Sequence, residues 1–344
     1  MRRVTRFREP DDRGAVLVWA ATSLAMLLGV GAIVIDAGAL FQERRELQNG
    51  ADAAALAVAK DCAEGDCLDA VATAEHYASE NAKDRTSDVS TVCGQGVGLI
   101  GCPPPPEAEG ASGWVRVDTS TLKPGGGTRI EFLLAPFLDV ANVGQTVEAS
   151  AVAAWGAPRA ASTIPLTFSQ CEYETAGGRL FDDPPVFPDG EITIYLHTSE
   201  FPEDCLAGPS GGDLPGGFGW LANDDDCVVE IAAGADTVGV DTGNDAPCDP
   251  TVWQDVDVVL PIFDSYDGTG ANGQYHIAGF VGFHVTGYRF PRYTWPTQPT
   301  RFDCELAPGG SGACIRGYFT EVTIPDGEFG GGTDFGARVV KMIG

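Results

Sequence analysis

Basic residues are scarce in this sequence. Twenty-one lysines and arginines stand against 49 aspartates and glutamates, a formal net charge of −28. A surface that acidic repels phosphate backbones and excludes nucleic acid as a partner. Histidine is rarer still, at four, and no Cys-x-x-Cys occurs, which argues against a structural zinc site. Cysteine is missing altogether from the first 60 residues. A phosphate-binding loop is also lacking, because the best glycine run, Pro124-Gly125-Gly126-Gly127-Thr128, has no lysine after its glycines.

Glycine and proline, by contrast, are plentiful at 45 and 23, which favours turns and short strands over long helices. The 344 residues leave room for two or three domains. Charge is unevenly placed. Residues 1–13 hold five arginines (Arg2, Arg3, Arg6, Arg8, Arg13) against Glu9, Asp11 and Asp12, so this segment is +2. The remainder, with 16 basic and 46 acidic residues, is −30.

Directly after the arginines, Ala15 to Ile35 runs 21 residues without a charge. At 1.5 Å per residue this spans about 32 Å, enough for a bilayer's hydrocarbon core. Arginines before the run and acidic mass after it place the N-terminus inside and the bulk of the chain outside the cytoplasm. A cleaved signal peptide is the rival reading, since Ala37-Gly38-Ala39 fits the small-residue cleavage pattern. The run exceeds the usual 7–15 apolar residues of such a peptide, and Asp36 lies before the cut, so a retained anchor is expected.

The helix does not end with the apolar run. Ala39 to Lys60 is rich in Ala, Leu, Glu, Gln and Arg, and Leu40, Leu47, Ala51, Ala54 and Val58 form one apolar stripe. One helix from about 15 to 60 is expected, with Gly50 as its weak point.

The ten cysteines are Cys62, Cys67, Cys93, Cys102, Cys171, Cys205, Cys227, Cys248, Cys304 and Cys314. Their even number, and their place after the apolar run, read as disulfides formed outside the cytoplasm. Near neighbours suggest rings at Cys62–Cys67, Cys93–Cys102 and Cys304–Cys314. The pairing of Cys171, Cys205, Cys227 and Cys248 stays open.

Arg13-Gly14, the apolar run, Asp36-Ala37-Gly38, Leu40, Arg45 and Leu47-Gln48-Asn49-Gly50-Ala51-Asp52-Ala53-Ala54-Ala55-Leu56-Ala57 together resemble the N-terminal module of the Tad (tight adherence) Flp-pilus assembly family, in its TadG-like branch. Fainter likeness continues in Ala74-x-x-Tyr77-Ala78-x-x-Asn81, in Phe132 to Leu138, and in Ala153-Ala154-Trp155-Gly156-Ala157-Pro158. The stretches Pro215 to Leu221 and Gly279 to Tyr288 look like a family-associated exterior domain without assigned chemistry. Two departures limit the resemblance. Pilin-like members carry glutamate five residues after the cleaved glycine, whereas Gly14 is followed at that distance by Trp19, so pilin-type processing is not implied. Asp118-Thr119-Ser120-Thr121-Leu122 lacks the last serine of a von Willebrand A metal motif and reads as strand.

The fold class expected is α+β: a single transmembrane helix continuing as a long helix, a small α+β unit, then a β-rich, disulfide-stabilised exterior domain. The boundaries expected are 1–13 for the cytoplasmic segment, 14–60 for the helix, 61–158 for the small unit and 159–344 for the exterior domain. Leu68 to Lys83 reads as a second helix with Val71, Ala74, Tyr77 and Ala78 on one side, and Gly94 to Gly113 as a stiff loop. Trp114 to Thr121 and Thr146 to Ala154 read as strands, with a helix over Arg129 to Val140 between them. Further strands are expected at 162–169, 191–197, 227–231, 252–263, 275–290 and 315–324.

Chemistry is sparse. Gly208-Pro209-Ser210-Gly211-Gly212 fits the nucleophile-elbow pattern but lacks its flanking strand and helix, so it reads as a loop. His276 and His284 share a strand face, eight residues or ~27 Å apart, too far for one site. Asp224-Asp225-Asp226 and the loop carrying Asp264, Asp267 and Asn272 are the acidic turns in which calcium is the one cofactor to test, though neither has EF-hand spacing. No catalytic set assembles, and no enzyme is expected. The resemblance implies a membrane-anchored accessory protein of pilus assembly, meeting pilus or secretion-platform helices along Leu47, Ala51, Ala54 and Val58. The alternative is a surface protein that binds a ligand such as glycan through Trp220, Trp253 and Trp295.

Overall fold

The structure is a computed structural model. It describes residues 13–65, 67–132, 144–175, 177–178, 186–195, 218–222, 227–234, 237–241, 246–268, 272–297, 313–324 and 327–343. Two compact units make up the chain: Met1–Ala54, Glu75–Thr91 and Asp118–Ser150 form the first, and Ala55–Ala74, Val92–Val117 and Ala151–Gly344 the second.

Helix α1, Arg13–Ala63, is a single α-helix of 51 residues. Its first turns are bare: Val16, Leu17, Trp19, Met26, Leu27 and Val34 are all more than half exposed. Ala32 and Asp36 begin a buried line that continues at Leu47, Gly50, Ala51, Ala54, Ala55, Val58 and Ala59. The spacing of three and four residues is that of one helix face.

Gly50 does not break α1. A Cβ built there would lie 3.1 Å from the carbonyl oxygen of Ala78, on helix α2, Ala70–Glu80. The glycine is what lets the two backbones approach. In α2 the buried residues are Ala70, Ala74 and Ala78, an i, i+4, i+8 row, whereas Val71 and Tyr77, expected on the packed side, are exposed. Small side chains win the buried side because the neighbouring backbone is too close for larger ones.

The first unit closes on polar contacts to the α1 backbone and side chains. Thr119 donates its hydroxyl to the carbonyl of Leu47 at 3.1 Å. Gln48 donates to Asp52 at 2.8 Å and to the carbonyl of Ser150 at 3.0 Å.

Five strands form one sheet in the order β1-β2-β5-β18-β16. They are β1 Asp88–Gln95, β2 Gly113–Ser120, β5 Glu148–Gly156, β16 Val322–Ile324 and β18 Ala337–Met342. The short strands β3, Ile130–Glu131, and β4, Gly144–Gln145, form a separate antiparallel pair. Ile130–Glu131 is thus strand where a helix is expected, and 133–143 lies outside the described residues. Strand β1 falls within reach of what reads as stiff loop, because Cys93 and Gly94 join the sheet before the chain turns. Within the second unit β18 runs antiparallel to β5, with Val339 opposite Gly156 and Met342 opposite Ala153. The expected strands stop at 324, so β18 is new.

The remaining strands build a larger sheet in the order β11-β9-β7-β12-β13-β15-β8. Here β7 is Leu166–Ser169, β8 Ile192–Tyr195, β9 Phe218–Leu221, β11 Thr237–Asp241, β12 Asp257–Asp267, β13 Gln274–Arg289 and β15 Cys314–Thr320. Strand β6, Ala160–Thr163, pairs with β10, Val229–Ala232, and Pro165 follows β6 where one strand over 162–169 is expected. Residues 250–253 are a short 3-10 helix, so β12 starts at 257 rather than 252. The sheet packs two aromatic-rich cores, one around Trp220, Phe283, Tyr288 and Phe319, the other around Phe263, Tyr275 and Phe280.

The Gly50 contact makes a direct prediction. Gly50→Leu overpacks the α1–α2 approach and is expected to cost about 1–3 kcal/mol. Gly50→Ala gains up to about 1 kcal/mol of helix propensity, which offsets its tight contact. Thermal unfolding of the full chain in nanodiscs, followed by circular dichroism, should show a lowered midpoint for leucine and a nearly unchanged one for alanine. Equal midpoints for leucine and wild type would dismiss the contact.

Candidate functional site: the membrane helix and its root

The residues with the clearest functional geometry lie along α1 and at its C-terminal end. From Val16 the helix is long enough to cross a membrane, and its most apolar window has a mean hydropathy of 2.2 with only 11% of it buried. An apolar helix bare on nearly every side costs heavily in water, so lipid is its fitting solvent. The described structure thus has one helix suited to a single crossing.

Beyond the apolar run the same helix carries polar residues. Glu43, partly buried, has its carboxyl pushed above the ordinary range by burial, while a hydrogen bond from Thr121 pulls the other way. Glu46 and Asp84 add to the rise and Lys123 opposes it.

The helix ends in a tightly bonded root. Ala63 is its last residue, Gly65 takes a left-handed φ of 81°, and Cys62 is joined to Cys67. Arg338 of β18, 2% exposed, donates from a guanidinium nitrogen to the Ala63 carbonyl. A cation there satisfies an orphan carbonyl and opposes the negative end of the helix dipole. Its Nε donates to Asp334 at 2.8 Å. Asp334 lies on β17, Thr333–Asp334, and also accepts from the Gly336 amide at 2.9 Å. Glu321 sits in the same cluster. Burial raises its carboxyl above the ordinary 4.5, Arg338 opposes the rise, and Glu64 and Asp334 add to it. None of Arg338, Asp334 or Glu321 stands out in the sequence, since one arginine in a short apolar strand carries no motif.

The predicted site residues separate clearly. Leu47, Ala51, Ala54 and Val58, expected to meet partner helices, are at most 4% exposed because the chain's own fold covers them. That face is not open to another protein. Cys62–Cys67 and Cys93–Cys102 are disulfides as expected, and Cys227–Cys248 is a third. Cys171 and Cys314 are also disulfide-bonded, whereas Cys205 and Cys304 lie outside the described residues.

Of the calcium candidates, Asp264 faces His276 Nδ1 at 2.7 Å and accepts from Ser265 at 2.8 Å. Asp267 and Asn272 flank the turn between β12 and β13, where Gly268 is left-handed and its would-be Cβ meets Asn272. Among the described residues no three His, Cys, Asp or Glu are grouped to hold a metal. His284 lies between Asp257 and Asp255, so each histidine has its own carboxylate partners. Trp220 and Trp253, offered for sugar stacking, are 0% and 2% exposed and pack on one another and on Phe290. They are core residues. Trp295 is half-buried against Tyr288. The Gly-x-Ser-x-Gly string and Asp224-Asp225-Asp226 lie outside the described residues.

A bare apolar helix long enough to cross a membrane, in a chain whose later part is β-rich and disulfide-bonded, is consistent with a single-pass membrane protein. Residues 14–61 match the Tad family model, described as putative Flp pilus-assembly TadE/G-like. The match covers α1 and stops where the disulfide root begins, so the body after it is not described by the family. No curated protein and no solved structure matches the chain.

The root generates two predictions. Arg338→Met removes the guanidinium donor from Asp334 and the Ala63 carbonyl. Because Asp334 is partly exposed and keeps the Gly336 amide, the expected cost is at or below the roughly 3–5 kcal/mol of a broken buried pair. Glu321→Gln acts in the opposite direction. An acid whose folded value is raised stabilises the fold below its unfolded value, and that contribution is lost as pH rises through the folded value. The glutamine variant should therefore be more stable than wild type near pH 7, an advantage that fades toward pH 4.5. Denaturant unfolding at both pH values checks it, and a constant difference would refute the assignment.

Proposed function

We propose that this protein is a membrane-anchored, non-enzymatic accessory component of Tad/Flp pilus assembly, with its N-terminus in the cytoplasm and its disulfide-bonded body outside. The observation that carries the reading is the coincidence of the family match with α1, which among the described residues is the one helix long and apolar enough to cross a membrane. The arginines before the helix support the orientation. Disulfides after it support an oxidising compartment for the body.

The burial of Leu47, Ala51, Ala54 and Val58 changes how pilus or secretion-platform proteins would be met. Partner helices would meet the bare turns from Val16 to Ile35 within the bilayer, while the exterior body offers its own surface. Helix pairing in lipid rests on packing and interhelical hydrogen bonds rather than on hydrophobic exclusion. The membrane segment then acts as more than a tether.

In the host, deletion of the gene should abolish or sharply reduce Tad pili, and the wild-type chain should restore them. A chain whose residues 15–35 are replaced by an unrelated apolar helix should insert normally yet fail to restore piliation. Unchanged pilus number after deletion would reject the pilus role. Full rescue by the replaced helix would reduce α1 to an anchor. Periplasmic-reporter fusions after residue 12 and after residue 344 test orientation, with activity expected only from the second.

A further inference from the structure

We propose that one face of the larger sheet carries a saccharide-binding subsite centred on Tyr318. It does not depend on the pilus reading. One row crosses three adjacent strands: Asp257 on β12 is opposite His284 on β13, and His284 is opposite Tyr318 on β15. The Tyr318 ring lies nearly parallel to the imidazole, at 4.8 Å between centroids and 20° between planes. The imidazole is fixed in turn, with Nδ1 2.7 Å from Asp257 and Nε2 3.3 Å from Asp255. The tyrosine is therefore a backed platform, 41% exposed, rather than a freely turning side chain.

Three features separate this row from an ordinary solvated sheet face. Asp255 is a non-glycine residue with a φ of +56°, and its side chain is 81% exposed. In that conformation, which aspartate adopts more readily than most residues, the open carboxylate lies 3.3 Å from His284. A register shift between Val285 and Gly287 interrupts the β13–β15 pairing next to the row, and bulges re-aim side chains. Beyond it, Glu191 accepts from Thr286 and pairs with Arg316 at 3.4 Å, adding a second polar row beside the platform.

The chemistry chooses the ligand. Asp255 and Asp257 each face a ring nitrogen of His284, Glu191 pairs with Arg316, and among the described residues no three His, Cys, Asp or Glu are grouped to hold a metal. What remains is acceptor capacity, since an ionised carboxylate offers about four lone-pair sites. An aromatic face bordered by such acceptors suits a ring with an apolar C–H face and hydroxyl donors at its edge. A pyranose has both. Trp220 and Trp253 lie in the core, so Tyr318 takes the role that sequence reading gave to them.

The test uses the full chain in nanodiscs free of glycoside detergents, against a panel of methyl pyranosides and N-acetylhexosaminides. Saturation-transfer NMR at about 10 mM reveals even millimolar sites. At least one sugar is expected to receive saturation through its ring C–H protons. Tyr318→Phe should keep that binding, and Tyr318→Ala should weaken it at least about tenfold with an unchanged unfolding midpoint. Asp255→Asn, which keeps the platform, should change which sugar binds best. Silence across the panel overturns the proposal, as does equal binding by Tyr318→Ala. Saturation of tetramethylammonium or methylguanidinium in place of any sugar overturns it in favour of a cationic ligand.

Discussion

Helix α1 must satisfy two solvents with one backbone. Over Val16 to Leu28 its side chains are bare and uncharged, and from Leu47 to Ala59 one face is closed against the rest of the chain. No turn or proline separates the two regimes, so the bare apolar turns and the packed turns share one continuous hydrogen-bonded ladder. Any movement of the apolar segment must therefore be borne by the helix itself or by its packing in the first unit. That packing includes glycine and alanine: Gly50 and Ala51 on α1 and Ala78 on α2. Small residues bury little apolar area each, and fully burying a leucine contributes about 1.5–3 kcal/mol that alanine does not approach. The gain is close backbone approach, with many weak contacts over a long face.

The second unit meets the same shortage of bulk by other means. Ala151, Ala153 and Ala154 fill β5 without large side chains, and the disulfides Cys62–Cys67 and Cys93–Cys102 close short rings nearby in sequence. Rings of that size restrict the unfolded chain by roughly 2–3 kcal/mol each in the entropic account. Arg338 adds a different kind of constraint. A buried guanidinium contributes little net stability by itself, yet its loss strands an acid and a helix carbonyl. It therefore specifies where β18 must lie more than it strengthens the fold. The larger sheet, although disulfide-bonded too, draws its bulk from phenylalanines, tyrosines and tryptophans in the ordinary way.

Much of the helical part was legible in the sequence because its signals are local. The 21-residue run, the helix-forming composition after it and the leucine-glutamine-asparagine signature all sit within one element. The short rings Cys62–Cys67 and Cys93–Cys102 were legible for the same reason. The strands were read less well where they were short or where proline and a 3-10 turn cut them, as at Pro165 and at 250–253. Strand β18 was missed because its partner, β5, lies almost two hundred residues earlier, and pairing over that distance leaves no local pattern. The Asp257–His284–Tyr318 row was hidden likewise. His284 was noticed, but its neighbours come from two other strands whose register only the fold supplies.

The alanine stripe shows why a correct pattern can still point to the wrong partner. Periodicity says that Leu47, Ala51, Ala54 and Val58 share one face and that the face is buried. It does not say whether another chain or the same chain does the burying. Here the chain supplies its own cover, and only the turns before Ala32 remain bare on nearly every side. If α1 recognises other helices, the recognition must occur where those turns lie, in lipid. There the hydrophobic effect offers no preference for a partner over a lipid tail, so selectivity has to come from shape and packing alone. Such selectivity is lost when the segment is exchanged for another of equal hydropathy, whereas an anchor's function is not. A helix whose packed face is already occupied thus ties any partner-selective role of α1 to its bare apolar residues.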